Sequence, residues 1–294
     1  MTTDLYPSRH AATPALLPRR DPVLHGGWRE DAPLSREQAE LFEAQGFLVL
    51  DDLFDEAEVT ILQAETGRLL GDPASLDPET VISEPGSDEL RSIFRIHAQS
   101  PVIARLAADA RLAGLARFLL DDEVYLHQSR LNYKPGFEGK EFYWHSDFET
   151  WHTEDGMPRM RAISISIALS DNHAVNGPLM LIPKSHKHYV TCVGRTPDDH
   201  FKQSLRRQAV GTPDDGSLRR LVEQGGIDAP TGPAGSIVLF DCNTMHGSNG
   251  NITPYPRSNI FAVYNSVENA LVQPFGGTRP RPDFIASRVV KQIT

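Results

Sequence analysis

The sequence predicts a mainly β protein, a sandwich or barrel of short strands with helices packed on one face. Three observations predict it. The longer stretches of helical apolar spacing fall in the first 120 residues. Beyond residue 121 the chain turns to short apolar runs separated by turn residues. No helical segments alternate with those runs, as a parallel α/β sheet would require. Gly and Pro, 22 each in 294 residues, exceed slightly the usual share of soluble proteins and suit a loop-rich sheet protein.

The elements follow in order. Residues 1–33, rich in Pro, Arg and small polar residues, show no periodicity and read as a mobile or surface-hugging arm, leaving 34–294 as a single domain. Ser35-Arg36-Glu37-Gln38 opens a short helix that Gly46 ends. Residues 47–50 (Phe-Leu-Val-Leu) form a short buried strand. Val59, Leu62, Leu69 and Leu70 recur at helical spacing over 55–70, with Gly71 as the stop. A second helix is expected over 101–120 from Val102, Ile103, Leu106, Leu112, Leu115, Phe118 and Leu119. Residues 124–128 and 131–133 read as strand. Ile163, Ile165, Ile167 and Leu169 alternate with Ser164 and Ser166, the pattern of a half-buried strand. Residues 179–182, 236–240 and 259–264 complete the set. Between them, 195–232 is polar, carries two Thr-Pro-Asp-Asp runs and a short helical stretch near 215–224, and has the length of a lid or flexible insertion.

Composition excludes several functions. The formal charge of −10 and the lack of a basic block argue against nucleic acid. No apolar run approaches the length of a membrane span, and no signal pattern opens the chain. Two cysteines, Cys192 and Cys242, cannot staple a chain this long, so the expected location is the reducing cytoplasm. Walker and dinucleotide loops, a Gly-x-Ser-x-Gly elbow and Cys-x-x-Cys are all absent from the sequence.

What remains is histidine with carboxylate. In His145-Ser146-Asp147, residues two apart on a strand project to one face and can reach one metal ion. His246, after the strand ending near Phe240, would complete two His and one carboxylate, the facial arrangement of non-haem iron(II) oxygenases. The pair alone is uninformative in a chain with 11 His, and His152-Thr153-Glu154 has equal standing on spacing. Oxygenases of this chemistry that use 2-oxoglutarate need a buried cation for its far carboxylate; Arg257, heading the next strand, supplies a rigid fork, and Lys134 is a second candidate. Cys242 reads as a plain buried thiol, and His186 and His188 as turn residues.

The stretch from Phe142 to Pro158, Phe-Tyr-Trp-His-Ser-Asp-Phe-Glu-Thr-Trp-His-Thr-Glu-Asp-Gly-Met-Pro, closely resembles the signature of the ectoine hydroxylases, in the phytanoyl-CoA dioxygenase-like branch of iron(II)/2-oxoglutarate enzymes. The resemblance runs on through residues 128–134, Gly177-Pro178-Leu179, Pro183-Lys184-Ser185-His186 and 246–258, and covers roughly 35–290. It implies a double-stranded β-helix (jelly-roll, cupin-like) barrel with the N-terminal helices on one face. It implies iron ligation by His145, Asp147 and His246, against the rival His152 and Glu154. Lys134, Arg257, Asn132 and Ser248 would meet 2-oxoglutarate. Gln128 and Trp151 would meet ectoine, and Phe142 offers a second aromatic face for its delocalised cation. A donor for the substrate carboxylate is sought in the tail, at Arg279 or Arg281.

The implied reaction is hydroxylation of ectoine to 5-hydroxyectoine with O2 and 2-oxoglutarate, yielding succinate and CO2, in the making of a protectant solute by a homodimeric enzyme. Two alternatives stay open on the residues: a relative acting on another small amino-acid-like substrate, and a barrel that binds metal or solute without turnover.

Overall fold

Two antiparallel sheets face each other, and polar side chains from the long strands point into the space between them. The computed structural model describes residues 3–51 and 53–293. The N-terminal third carries β1 (Ala15–Pro18), α1 (Arg36–Gln45), β2 (Phe47–Leu50), α2 (Glu56–Gly71), β3 (Val81–Ser83), β4 (Leu90–Phe94), α3 (Ile96–Gln99), α4 (Pro101–Ala107) and α5 (Ala110–Leu120). Then come β5 (Val124–Lys134), β6 (Phe142–His145), α6 (Asp147–Thr150), a π-helical turn (Trp151–Asp155), β7 (Ala162–Ala168), β8 (Met180–Leu181) and β9 (His188–Thr191). The remainder is α7 (Phe201–Ser204), α8 (Asp215–Gly225), β10 (Ile237–Asp241), β11 (His246–Ser248) and β12 (Arg257–Ser266).

The large sheet runs β2-β10-β7-β12-β5-β4-β3 and the small one β6-β11-β8; β1 and β9 pair separately. This is the expected jelly-roll barrel with helices on one face. Alternation along the strands explains it. Ile237 and Leu239 of β10, with Ile163, Ile165 and Ile167 of β7, face outward into one core with Leu62, Leu69, Leu112, Leu115 and Phe118 of α2 and α5. Val238 and Phe240 face inward, with Phe261 of β12 and Leu181 of β8. The strand expected to be half-buried is therefore buried on both faces: the Ser164/Ser166 face does not meet solvent but lines the barrel.

Local signals set the boundaries. Ser35 and Gln38 form a reciprocal capping box at the start of α1, and Gly46 closes it at φ +86°. Asp55 and Glu58 do the same for α2, which runs through Gly71 before Asp72 ends it. The single helix expected over 101–120 is two, because the Asp109 carboxylate accepts the Arg111 N–H and caps a new start. The two strand segments expected between 124 and 133 are one, with a bulge at His127: across β12, Val263 pairs with Gln128 and Tyr264 with Leu126.

The N-terminal stretch is more than surface covering. Tyr6, Ser8, Arg9 and Asp21 are buried. The Tyr6 ring packs edge-on against Phe148, and its hydroxyl donates to Asp21 at 2.8 Å.

Candidate active site

β6 and β11 pair so that His145 stands directly opposite His246. Asp147 does not share a strand with His145, as the spacing argument supposed. The strand ends at His145, and Asp147 begins α6, so the turn at Ser146 aims the carboxylate at the imidazoles. The three residues form a cluster whose ligand atoms all lie within 4.8 Å of one another. His145 Nε2 is 3.8 Å from Asp147 Oδ1, and His246 Nε2 is 3.9 Å from Asp147 Oδ2.

Each imidazole is oriented from behind. His145 Nδ1 donates to the Tyr143 carbonyl at 2.7 Å and His246 Nδ1 to the Thr244 carbonyl at 3.0 Å. That fixes the tautomer and leaves both Nε2 lone pairs for the shared gap. His246 Nε2 is buried and otherwise without a partner among the described residues. Burial, with the neighbouring imidazole, pushes His145 down to about 3, and burial also lowers His246. Burial alone would raise Asp147; His246, Arg130 and the Ser164 hydroxyl, 3.2 Å away, outweigh it and hold the carboxyl below its usual range. Two neutral imidazoles and one carboxylate fit a divalent transition metal held on one face.

The rival pair is spent elsewhere. His152 is stacked on Phe275 and bonded to Met157 O and Asp4, and Glu154 is tied to Arg9. Cys242 is buried and free, its thiol pushed well up by burial. His186 sits in a short turn and meets the Glu43 carbonyl.

A cavity of about 570 Å³ opens over this cluster. His145, Asp147, Gln128, Phe142, Trp151 and Arg281 all line it. Gln128 donates through Nε2 to Ile285 O at 2.6 Å, leaving a buried Oε1 unpaired among the described residues. Trp151 is buried with its indole against the His127 ring edge, centroids 5.0 Å apart. Phe142 already carries the Arg91 guanidinium on its ring at 3.6 Å, so that face is taken. Arg281 is drawn in by a two-point pair with Asp155. Arg279 is a correction: it is exposed and does not line the cavity, because no buried carboxylate among the described residues pulls it inward. The segment at 203–215 contributes Gln203, Arg207, Gln208 and Asp215 to the cavity's outer wall.

Lys134, Asn132, Ser248 and Arg257 are all buried. Lys134 faces Arg257 across β5 and β12, and its Nζ donates to Ser248 Oγ at 2.8 Å and to Asn249 O. Asn132 accepts from Ser92 at 2.9 Å. Burial alone pushes Arg257 down to about 10, and its Nε has no partner among the described residues.

Sequence reasoning missed Arg130. It lines the cavity near Asp147, lies over the Phe261 ring at 4.8 Å, and has an unpaired buried Nε among the described residues. The signal was present: Gln128, Arg130, Asn132 and Lys134 are spaced by two on one strand and share its inner face.

Residues 42–259 match the family model described as phytanoyl-CoA dioxygenase. A protein of Sphingopyxis alaskensis named ectoine dioxygenase is 63% identical over 285 residues, 97% of this chain and 93% of that protein. The alignment takes in most of the first 33 residues, so the similarity reaches further than the motifs from 35 onward suggested. The crystal structure of EctD from S. alaskensis with 2-oxoglutarate and 5-hydroxyectoine superposes with a TM-score of 0.92 at 58% identity, covering 99% of this chain and 97% of that one. The same protein with bound Fe gives 0.88 at 58% identity, with 98% and 95% covered. With one match spanning most of the chain and the other nearly all of it, the chain belongs to the phytanoyl-CoA dioxygenase family and, within it, to the ectoine dioxygenases.

Proposed function

We propose that this protein hydroxylates ectoine to 5-hydroxyectoine, consuming O2 and 2-oxoglutarate and releasing succinate and CO2, with His145, Asp147 and His246 as the ligands of a ferrous ion. The observation that carries the reading is that three-residue cluster, two of whose members line the cavity, with the Nε atoms of Arg130 and Arg257 buried and without a partner among the described residues. A relative bearing this enzyme's name across almost the whole chain supports it.

Bound there, ferrous iron with 2-oxoglutarate supplies the oxidising power to hydroxylate an unactivated C–H bond. The chain's own residues do the rest. Arg257 and Lys134 take the far carboxylate of 2-oxoglutarate, with Ser248 and Asn132 as polar neighbours; Arg130 is placed to hold its other end. The Arg257 guanidinium is buried before the ligand arrives, so a carboxylate relieves its burial cost. Gln128 Oε1 accepts an N–H from the ectoine ring, Trp151 offers its face to the delocalised cation, and Arg281 meets the carboxylate. Residues 195–232 act as the lid that keeps water from the reacting atoms.

The same reading carries three further proposals: a cytoplasmic enzyme, consistent with its two free, buried cysteines; a homodimer, to be weighed by sedimentation; and a product that serves as a protectant solute. No helix among the described residues is long and apolar enough to cross a membrane. The deciding experiment is the iron-loaded protein with 2-oxoglutarate, with and without ectoine. Ectoine-dependent succinate release with equimolar hydroxyectoine is expected; succinate release indifferent to ectoine overturns the substrate.

A further inference from the structure

Arg9 lies in the aperiodic N-terminal stretch, yet it is among the most heavily bonded side chains in the molecule. Its backbone is left-handed at φ +63°, and its N–H donates to Cys192 O at 2.9 Å. Its Nε and Nη2 grip both oxygens of Glu149, at 2.9 and 2.6 Å. Nη1 donates to Glu154 and, at 2.7 Å, to Thr196 Oγ1. Ser8 adds a 2.6 Å bond to Glu149. Gly211, at φ +76°, packs so closely that a Cβ there would sit 2.2 Å from Nη2.

One guanidinium thus joins three pieces of chain: the arm, the α6–π-turn stretch that carries Asp147 and Trp151, and the segment over the cavity mouth, which it meets at Thr196 and Gly211. Glu154 lines that cavity and lies 3.9 Å from Arg281 Nε. Arg281 is already paired with Asp155. A second free carboxylate beside it would compete with an incoming substrate carboxylate; Arg9 holds Glu154 and removes that competitor.

We infer that Arg9 is a positioning residue for the substrate side of the cavity, acting through Glu154 and through its latch on the covering segment at Thr196 and Gly211. The inference rests on the cavity assignment proposed above. Lys202, Arg206 and Arg207, in the covering segment, are trypsin sites and give a readout independent of turnover.

The test uses full-length protein with Arg9→Gln, Arg9→Lys and Thr196→Val. Arg9→Gln should raise KM for ectoine by roughly tenfold or more while KM for 2-oxoglutarate stays within about twofold. In metal-free protein it should speed tryptic cleavage after residues 202–207 by about fivefold or more, as expected when a local opening becomes cheaper. Arg9→Lys, which keeps the charge without the fork, should fall between. A folded Arg9→Gln protein with unchanged KM for ectoine and unchanged cleavage overturns the inference. If Arg9→Gln does not fold, Thr196→Val decides: faster cleavage supports the latch, and wild-type cleavage refutes it. If wild-type protein ignores ectoine, the cavity assignment has failed, while the proteolysis comparison still judges the latch.

Discussion

Lys134 and Arg257 stand opposite each other on adjacent strands, buried, and neither has a carboxylate partner among the described residues. A dehydrated guanidinium beside a dehydrated amine disfavours charge on the amine, and an incoming anion restores it. A ligand with a terminal carboxylate is the natural complement.

Replacing Arg257 by Gln removes the rigid fork. Hydrogen bonds to charged groups contribute about 1.5–3 kcal/mol, so 2-oxoglutarate affinity should fall roughly tenfold to a hundredfold. Iron affinity should be unaffected. Titration of the metal-loaded protein measures both, and an unchanged 2-oxoglutarate affinity would remove Arg257 from the cosubstrate site.

Burial, then Arg257 and Arg91, pushes Lys134 down to about 6 from 10.5. Between those values the unfolded chain binds a proton that the native pocket does not, so this group makes the ligand-free protein more stable as pH rises through that window and less stable below it. A bound carboxylate favours the charged amine, so 2-oxoglutarate should bind with proton uptake above about pH 6, and its affinity should decline as pH rises. Calorimetry in buffers of different ionisation enthalpy reads the uptake directly. Lys134→Met should abolish it; the same uptake in that variant would point to another group.

Asp147→Ala should lower iron affinity by more than the roughly 10–100-fold that loss of an outer partner causes. Ser164→Ala, which removes only the hydroxyl bonded to Asp147, should stay inside that range. Iron content after equilibration with ferrous salt distinguishes them. Equal retention by Asp147→Ala and wild type would discard the ligand set.

Trp151→Ala removes an aromatic face worth about 1–2 kcal/mol to a desolvated cation. KM for ectoine should rise roughly five- to thirtyfold with iron content unchanged. If KM for ectoine holds constant, the indole serves packing alone.

The sheet was legible because period-two alternation survives in β7, and because β10 and β12 are short apolar runs bounded by turn residues. Which way each face pointed was not. Ser164 and Ser166 resemble a solvent face, and only the barrel's closure shows that its interior is the polar side. Strands as short as β3 and β11 carry too few residues for any period to register. The break at Asp109 was hidden because apolar spacing continues across it. In the site, the metal cluster was legible from motif and resemblance together, whereas Arg130 required extending the inner-face spacing by one residue. Arg9 left no trace at all, since its partners Glu149, Glu154 and Thr196 come together only on folding.

The π-helical turn follows α6 without interruption, so Asp147 and Trp151 ride on one continuous coil of backbone. Adding or deleting one residue there would swing the indole by about 100° around that axis while leaving the carboxylate in place. The spacing between carboxylate and indole is thus stored as a length of chain, a quantity that point substitutions leave untouched and single-residue insertions rewrite at a stroke.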